Sequence, residues 1–392
     1  MRFPEFHGEW EKCKVSELLD FYSTNSLSWD QLEYGTDNML NLHYGLIHVG
    51  LPTMVDLSKD ILPAIKKENE PKNFELCKEG DIAFADASED TNEVAKAIEF
   101  YTLEDKAVVC GLHTIHGRDK SNKTVVGYKG YAFSSTAFHH QIRRIAQGTK
   151  IYSISAKNFA ECYIGIPSKG EQTKIAKLLR LIDERIATQS KLIEKLESLI
   201  KGIVDSTILR KEKNAIIGDV CSISEQIRAE ANIDDIITVR LHGNGVCKSS
   251  AENLQLGATQ YYRRRAGQLI YGKQNFHNGA IGIVPISLDN GITSKDIPSF
   301  DIDEMKCNSV YLLAQLQSPQ YYKPAEALTT GTGSKRLKEE TFLKMPIVLP
   351  NKREQDNIAV LIHRASMNLD HAKRLLELLS IQKQFLLRQM FI

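Results

Sequence analysis

The residues that could bind a metal ion or a phosphate group are few. Cys110, His113 and His116 are potential metal ligands, but a zinc site needs a fourth ligand, which the sequence does not indicate. The segment Gly331-Thr-Gly-Ser-Lys335 resembles a phosphate-binding loop, yet it lacks the spacing of the GxxxxGK[ST] motif. Its small residues and its cation suit the approach of a nucleic-acid phosphate better. We therefore predict no metal site and no nucleotide site.

The sequence also contains no recognisable catalytic centre. The pairs Asp81/Asp86 and Glu93/Lys96 do not have the spacing of a nuclease core. The Asn-Pro-Pro-aromatic and Asp-Pro-Pro-aromatic motifs of amino-methyltransferases are absent from the sequence. We therefore predict that the chain is not an enzyme and that it works by binding.

Charge is divided into blocks along the 392 residues, although the net charge is only +1. Residues 56–105 carry a net charge of −8, residues 113–152 a net charge of +6, and residues 239–278 a net charge of +5. Two basic blocks, one in each half of the chain, indicate a negatively charged ligand that is bound in two places. The alternative is that these blocks are solvated faces without a ligand.

The sequence contains an internal repeat. A shift of 183 positions aligns four groups of residues, namely Gly148-Thr149 with Gly331-Thr332, Phe159 with Phe342, Pro167 with Pro350, and Glu171-Gln172 with Glu354-Gln355. Further upstream, residues 78–84 resemble residues 265–271 at a shift of 187. The chain is therefore predicted to consist of two copies of one unit.

Each copy ends in a long run with apolar residues three and four positions apart, which is typical of a coiled-coil seam. Pro167 and Pro350 precede the two runs and mark the entries of two long helices. The predicted seam consists of Leu179, Ile182, Ile186, Ile193, Leu196, Ile200, Leu369, Ala372, Leu376, Leu379 and Leu386. We expect antiparallel pairing, which relates the two copies by a pseudo-twofold axis, although connectivity alone also allows parallel pairing.

Two polar residues, Gln189 and Lys383, interrupt this seam. Polar seam residues commonly set the register of a coiled coil at some cost in stability. The alternative for Lys383 is that it faces water near a fraying helix end.

The segments outside the helices predict globular domains with a mixed α+β fold. Four β-rich stretches alternate with turn signals: Lys106–Cys110, Thr124–Tyr128, Ile236–Arg240 and Gly279–Pro285. The predicted fold class is therefore α/β in the broad sense, with two globular domains and two long helices that form an antiparallel coiled coil. The predicted domain boundaries are 1–168, 169–210, 211–350 and 351–392.

Two globular segments, each followed by Pro-x-x-x-Glu-Gln-x-x-Ile-Ala and a long helix, resemble the specificity subunits of type I restriction–modification systems. Gly8-Glu-Trp10 with Val15-Ser-Glu-Leu18, and Gly111-Leu-His-Thr-Ile115, also resemble segments of these subunits. The resemblance covers essentially the whole chain. The opening of the second domain, residues 216–220, departs from it because this segment is shorter than its counterpart and lacks the tryptophan.

The resemblance implies two target recognition domains, each of which reads half of a split sequence in double-stranded DNA. It implies that the paired helices act as a ruler and dock a pair of methyltransferase subunits, which restriction subunits then join. S-adenosylmethionine, ATP and Mg²⁺ are expected in those partner subunits, and no cofactor is expected in this chain. The alternatives are a free-standing DNA-modifying enzyme with its own active site, and a structural coiled-coil adaptor that binds only proteins.

Candidate DNA contacts follow from the chemistry of the two basic blocks and of the loop that begins at Gly331. Cations suit phosphates, whereas amide side chains suit base edges in the major groove. The candidates in the second half are Arg263, Arg264, Arg265, Lys273, Gln274, Asn275, His277, Asn278, Lys335 and Arg336. The candidates in the first half are Arg118, Lys120, Lys123, His139, Arg143, Arg144 and Lys150. The alternative for the loop 271–279 is a polar surface hairpin without a ligand.

Cellular location is predicted from the cysteines and from the apolar runs. The seven cysteines are scattered and form no Cys-x-x-Cys pair, which is typical of reduced thiols. No apolar run is long enough to cross a bilayer, and the N-terminal residues do not resemble a signal peptide. These features predict a cytoplasmic protein.

Overall fold

The computed structural model describes residues 1–36, 38–249, 259–331 and 334–391. The chain divides into two compact units, a first unit of Met1–Ser190 with Arg374–Ile392 and a second unit of Lys191–Lys373. Each of the two long helices contributes residues to both units. No helix in the described ranges is long and apolar enough to cross a membrane.

The first unit has a mixed α+β fold. Its strands are β1 (Glu11–Lys14), β2 (Leu19–Tyr22), β3 (Leu32–Glu33), β4 (Leu40–Leu42), β5 (Met54–Asp56), β6 (Ala64–Ile65), β7 (Ile82–Ala85), β8 (Ala87–Ser88), β9 (Ala97–Thr102), β10 (Val108–Cys110), β11 (Thr114–Asp119), β12 (Tyr152–Ser153) and β13 (Tyr163–Ile166). Its helices are α1 (Val15–Leu18), α2 (Tyr44–His48), α3 (Tyr128–Phe133), α4 (Thr136–Ile145), α5 (Ala156–Ala160) and the first part of α6 (Lys169–Val204).

The two larger sheets of this unit are a five-stranded sheet in the order β2-β11-β7-β9-β5 and a four-stranded sheet in the order β10-β4-β6-β3, and β1-β13 and β8-β12 form two-stranded sheets. All four residues of β7 are buried because the sheet is covered on both faces. Ile82 and Phe84 belong to one core cluster and Ala83 and Ala85 to another, as the alternation of side chains along a strand requires.

The second unit is built in the same style. Its strands are β14 (Ala215–Ile216), β15 (Cys221–Ile223), β16 (Arg228–Ala229), β17 (Ile237–Val239), β18 (Val246–Lys248), β19 (Tyr261–Arg263), β20 (Leu269–Tyr271), β21 (Ile281–Ile283), β22 (Ile292–Ser294), β23 (Ser299–Ile302) and β24 (Pro346–Ile347). Its helices are α7 (Ser309–Leu316), α8 (Pro319–Tyr322), α9 (Glu339–Leu343) and most of α10 (Lys352–Gln389). The main sheet has the order β15-β23-β20-β21.

One strand predicted from the sequence is wrong. Residues 124–128 form a turn that leads into α3 rather than a strand. The carboxylate of Asp119 accepts hydrogen bonds from the amide and the hydroxyl of Thr124, at 2.9 and 2.6 Å. These bonds hold the backbone in a turn, which a β-rich composition does not indicate.

The internal repeat of the sequence is also a repeat of the structure. In the first unit the ring of Phe84 packs edge-on against that of Phe159, with 4.6 Å between centroids. In the second unit Tyr271 and Phe342, which occupy the corresponding positions, also lie 4.6 Å apart. The same aromatic pair therefore joins the central strand to the last short helix of each unit.

The repeated glutamine anchors each long helix to its globular part. Gln172 accepts a hydrogen bond from the amide of Val125 and donates to the carbonyls of Lys123 and Pro167, at 2.9, 3.0 and 2.8 Å. Gln355 makes the corresponding three bonds in the second unit, to Asn308, Lys306 and Pro350. Both side chains are fully buried, so each glutamine satisfies backbone groups that would otherwise be buried without partners.

The repeated glutamate ties the same helix start to a basic residue. Glu171 pairs with Arg2 at 2.6 Å, and Glu354 pairs with Lys211. The side-chain oxygens of Ser168 and Asn351 accept from the backbone amides of Glu171 and Glu354 and cap the two helices. The motif Glu-Gln-x-x-Ile-Ala is therefore a helix-start motif with the same contacts in both units.

The two long helices run antiparallel. Within the first unit, Ile175 at the start of α6 and Met390 at the end of α10 belong to one core cluster. Farther along, Lys383 Nζ lies 2.6 Å from Asp183 Oδ1. This contact shows that Lys383 does not simply face water, as the alternative interpretation had it.

The second unit shows the same direction of pairing. Lys373 pairs with Glu197 at 2.8 Å. Ile208, just beyond the end of α6, shares a cluster with Ile358 near the start of α10. The expected antiparallel coiled coil is confirmed.

Apolar residues of the helices fall on two faces. The predicted seam residues are buried or half-buried, the buried ones being Leu179, Ile182, Ala372, Leu379 and Leu386. A second set of large apolar side chains is exposed, and we call it the outer helix face: Leu181, Leu375, Leu378, Ile381 and Phe385 in the first unit, and Leu192, Leu199, Val360, Leu361 and Met367 in the second. In each unit, a set of exposed large apolar residues of this kind is typical of a surface that a partner covers.

Candidate DNA interface

Each unit carries a pair of loops at the corresponding position. The first loop pair consists of residues 86–93 and 147–153, and the second consists of residues 272–279 with 330–331 and 334–337. The amide of Ile154 donates to the carbonyl of Asp86 at 3.0 Å, and the amide of Leu337 donates to the carbonyl of Lys273 at 2.8 Å. These corresponding bonds hold both loop pairs together.

A glycine in the same turn is required in both loop pairs. Gly148 and Gly331 have φ values of 143° and 128°, which side-chain-bearing residues rarely adopt. A Cβ atom would lie 1.9 Å from the carbonyl oxygen of Ile151 in the first case and 2.5 Å from that of Ser334 in the second. The repeated glycine is therefore explained by a turn that admits no side chain.

The second loop pair presents amide side chains to solvent. Gln274 and Asn275 are exposed at the tip of the loop 272–279. His277 and Asn278 are half-buried, and Asn278 Nδ2 lies 3.3 Å from His277 Nε2. Exposed amides on a loop of this kind can form paired hydrogen bonds with adenine.

The predicted cations of this loop pair have carboxylate partners. Lys273 pairs with Glu339 at 2.7 Å, and only 11% of its side chain is exposed. Lys335 lies 3.6 Å from Glu326, and Arg336 lies 3.2 Å from Asp296. Lys335 and Arg336 stay accessible, whereas Lys273 holds two segments of the protein together.

Several exposed residues beside this loop were not predicted. The loop 240–245 is joined to it by bonds from the amides of His242 and Gly243 to the carbonyls of Asn278 and Gly279, at 2.7 and 2.9 Å. Arg240, His242 and Asn244 are exposed there, and so is Lys295 near Lys273. The glycines at 243 and 245, both with positive φ, were the available signal of a second close-approach loop.

The three consecutive arginines differ in their surroundings. Arg263 and Arg265 are exposed. Arg264 is fully buried and donates to Thr293 Oγ1, Ser299 Oγ and the carbonyl of Ile297, at 2.7, 2.9 and 3.0 Å. Burial lowers the pKa of its guanidinium to about 10. The prediction of Arg264 as a phosphate contact is wrong, because side chains alternate along the extended backbone and this one points inward.

The first loop pair combines carboxylates with cations. Asp86, Glu89, Asp90 and Glu93 lie in the loop 86–93. Around it lie three predicted cations: Arg143, which donates to Asn92 at 2.9 Å, and Arg144 and Lys150, which are exposed. His139 is half-buried; burial lowers its pKa, and the neighbouring Arg143 lowers it further.

The other predicted cations of the first unit make contacts within the unit. Arg118 donates to both carboxylate oxygens of Asp81 at 2.8 Å and to Glu75 at 2.7 Å. The hydrogen bond that Arg118 donates to Asp81 raises the pKa of the Arg118 guanidinium. Lys120 and Lys123 pair with Asp20 and Glu11 at 3.3 and 2.5 Å, respectively. Arg118 is thus held in the fold, whereas Lys120, which is exposed, and Lys123, which is half-exposed, can still approach a phosphate.

Comparisons with known proteins agree with this architecture. The family of type I restriction modification DNA specificity domains matches residues 54–198. The fold is similar to that of the type I restriction-modification system S subunit from M. genitalium, with a TM-score of 0.64 and 14% identity over 100% of this chain and 99% of that one. It is also similar to a chain from a structure of the complex assembly and conformational transition of the type I R-M system, with a TM-score of 0.53 and 12% identity over 98% and 97% of the two chains. No curated protein sequence matches the chain.

Proposed function

We propose that the chain recognises a bipartite, gapped DNA sequence, because residues 54–198 match the family of type I restriction modification DNA specificity domains and the whole chain has a fold similar to that of a solved S subunit. Each globular part reads one half of the site. The target recognition domains comprise residues 1–168 and 211–350, and the spacer helices comprise residues 169–210 and 351–392.

The observation that carries this proposal is that the first and second loop pairs occupy equivalent positions in the two units. Both units hold their loops with the same backbone bonds and the same glycine turn. The side chains on that common frame differ, with amides and cations in the second loop pair and carboxylates with cations in the first. Amides suit adenine, and carboxylates accept hydrogen bonds from the amino group of cytosine. The two half-sites therefore differ in sequence.

The outer helix face supports docking of other subunits. Its exposed leucines, Phe385 and Met367 resemble the apolar centre of a protein interface. We assign this face to a pair of methyltransferase subunits, which restriction subunits then join. In this assembly the chain is a non-catalytic specificity subunit that acts in the cytoplasm, where its DNA lies. S-adenosylmethionine, ATP and Mg²⁺ bind to the partner subunits.

Sequencing of methylated adenine in cellular DNA, with this gene intact and deleted, tests the proposal. We expect one split motif with an unspecified centre to lose its methylation on deletion and to regain it when the gene is restored. A methylation pattern that is unchanged by deletion, in cells that contain a methyltransferase bound to this chain, would contradict the proposed role.

A further inference from the structure

Two cysteines and a histidine meet in the interior of the first unit. Cys77 precedes β7, Cys110 ends β10, and His116 lies in the middle of β11. The sulfur atoms of the two cysteines are 3.6 Å apart. Both sulfurs and a ring nitrogen of His116 lie within 4.8 Å of one another, and all three residues are buried. His113, considered earlier with Cys110 and His116, is not part of this group, because it is half-exposed and pairs with Asp86 at 3.2 Å.

The surroundings of His116 fix the role of each ring nitrogen. Nε2 lies 2.8 Å from Asp81 Oδ2, and the carboxylate of Asp81 is held in turn by Arg118. Nδ1 is buried and has no hydrogen-bond partner among the residues that the structure describes. Histidines that bind metals typically donate one N–H to a carboxylate and coordinate with the other nitrogen. An orphaned ring nitrogen in a buried site calls for a ligand.

The two thiols are suited to a cation. Both sulfurs are buried and lie 3.6 Å apart. A divalent cation at this position would bind both sulfurs as thiolates and would balance their charge. Two thiolates on one tetrahedral zinc ion, with bonds of about 2.3 Å, lie about 3.8 Å apart. The separation in this protein is already close to that value.

We propose that Cys77 Sγ, Cys110 Sγ and His116 Nδ1 bind a single Zn²⁺ ion, with a water molecule as the fourth ligand. Cys110 belongs to the four-stranded sheet and His116 to the five-stranded sheet. The ion would therefore link the two sheets of the first unit, and through His116 and Asp81 it would also fix Arg118. Its role is structural, and the site does not depend on the proposed DNA recognition.

Metal analysis of the full chain tests the site. We expect the protein purified from zinc-supplemented cells to retain about one zinc per chain after desalting. Replacement by Co²⁺ should give absorption bands of thiolate-to-cobalt charge transfer. The double variant Cys77→Ala/Cys110→Ala should lose the metal and these bands. Cys247→Ala, at a half-exposed cysteine of the second unit, is the matched control and should retain both.

A second measurement needs no variant. Chelation should lower the Tm of the wild-type chain, and added Zn²⁺ should restore it. Wild-type protein that retains no zinc and whose Tm does not change with chelator or with added Zn²⁺ would overturn the proposal. A Cys77–Cys110 disulfide in protein prepared with zinc and without reductant would overturn it as well.

Discussion

At the scale of single residues, neighbouring side chains of the same type have different roles. Arg264→Ala removes a buried guanidinium together with the hydrogen bonds that it donates to Thr293 Oγ1, Ser299 Oγ and the carbonyl of Ile297. We expect it to lower the free energy of unfolding by about 3 kcal/mol. Arg265→Ala, at an exposed position, should change stability by less than about 0.5 kcal/mol. Urea unfolding of the two variants measures the difference.

The same pair of variants separates folding from DNA binding. Arg265→Ala should reduce the salt dependence of DNA affinity by about one phosphate contact. Arg264→Ala, measured where it is folded, should leave that slope unchanged. Equal losses of stability in both variants would show that burial does not distinguish these arginines.

Specific recognition is expected from the amides of the second loop pair. Gln274→Ala should weaken binding to the cognate site by about 1–3 kcal/mol and leave binding to a random duplex unchanged. Lys273→Ala should instead lower stability, because it leaves Glu339 without its partner. Asn368→Ala, at an exposed position of α10, is the control. The measurement is the affinity of the complex with the methyltransferase for the cognate duplex and for a random duplex. If both affinities fall equally in Gln274→Ala, Gln274 contacts only phosphates.

At the scale of elements, the turn 119–124 makes folding sensitive to acid. Burial alone would raise the pKa of Asp119, but the hydrogen bonds that it accepts from Thr124 and Ser121 outweigh this effect and lower it. The carboxylate therefore contributes stability that is complete above its ordinary pKa of 3.8 and is lost as the pH falls through the lower folded value. Asp119→Asn should cost about 1–2 kcal/mol at neutral pH.

This cost should shrink as the pH falls below the ordinary pKa of Asp119. Urea unfolding of the wild type and the variant between neutral pH and acid measures it. A difference between the two proteins that stays constant with pH would mean that the charge of Asp119 is not involved.

The helix pair contains two ion pairs that differ in burial. Lys383 and Asp183 have side chains that are 21% and 15% exposed, and Tyr131 also donates to Asp183 at 2.8 Å. Lys373 and Glu197 are both 51% exposed. A double-mutant cycle with Lys383→Met and Asp183→Leu should give a coupling energy above about 1 kcal/mol, whereas the cycle on the exposed pair should give about 0–0.5 kcal/mol. Equal couplings would contradict a register role for Lys383.

The elements also show what could be predicted from sequence. The sequence repeat at a shift of 183 positions correctly predicted where both long helices begin. The Glu-Gln motif makes the same local contacts at the start of each helix. The pairing of cations could not be predicted. Arg118 pairs with Asp81, and Lys273 pairs with Glu339, although the partners are far apart in the sequence. The net charge of a sequence block does not indicate which carboxylate each cation will contact. For the same reason we predicted no metal site from Cys110, His113 and His116, because the sequence does not indicate that β-sheet pairing brings Cys77 beside Cys110 and His116.

At the scale of the whole molecule, the proposed role of the helices as a ruler means that the length of the helix pair determines the gap between the two half-sites. Deletion of residues 193–199 together with residues 371–377 removes one heptad from each helix, and it removes Lys373 together with its partner Glu197. The apolar seam keeps its register because the deletion is a whole heptad. Seven residues correspond to about 10 Å of helix, or about three base pairs of DNA.

We expect the methylated motif of this deletion variant to keep both half-sites and to have a gap shorter by about three base pairs. Gln274→Ala provides the complementary control, because it should relax one half-site and leave the gap unchanged. Sequencing of methylated adenine in cells that express each variant distinguishes the two effects. A half-site that changes after the heptad deletion would mean that the helices help to read bases. An unchanged gap would mean that some other part of the assembly sets the distance.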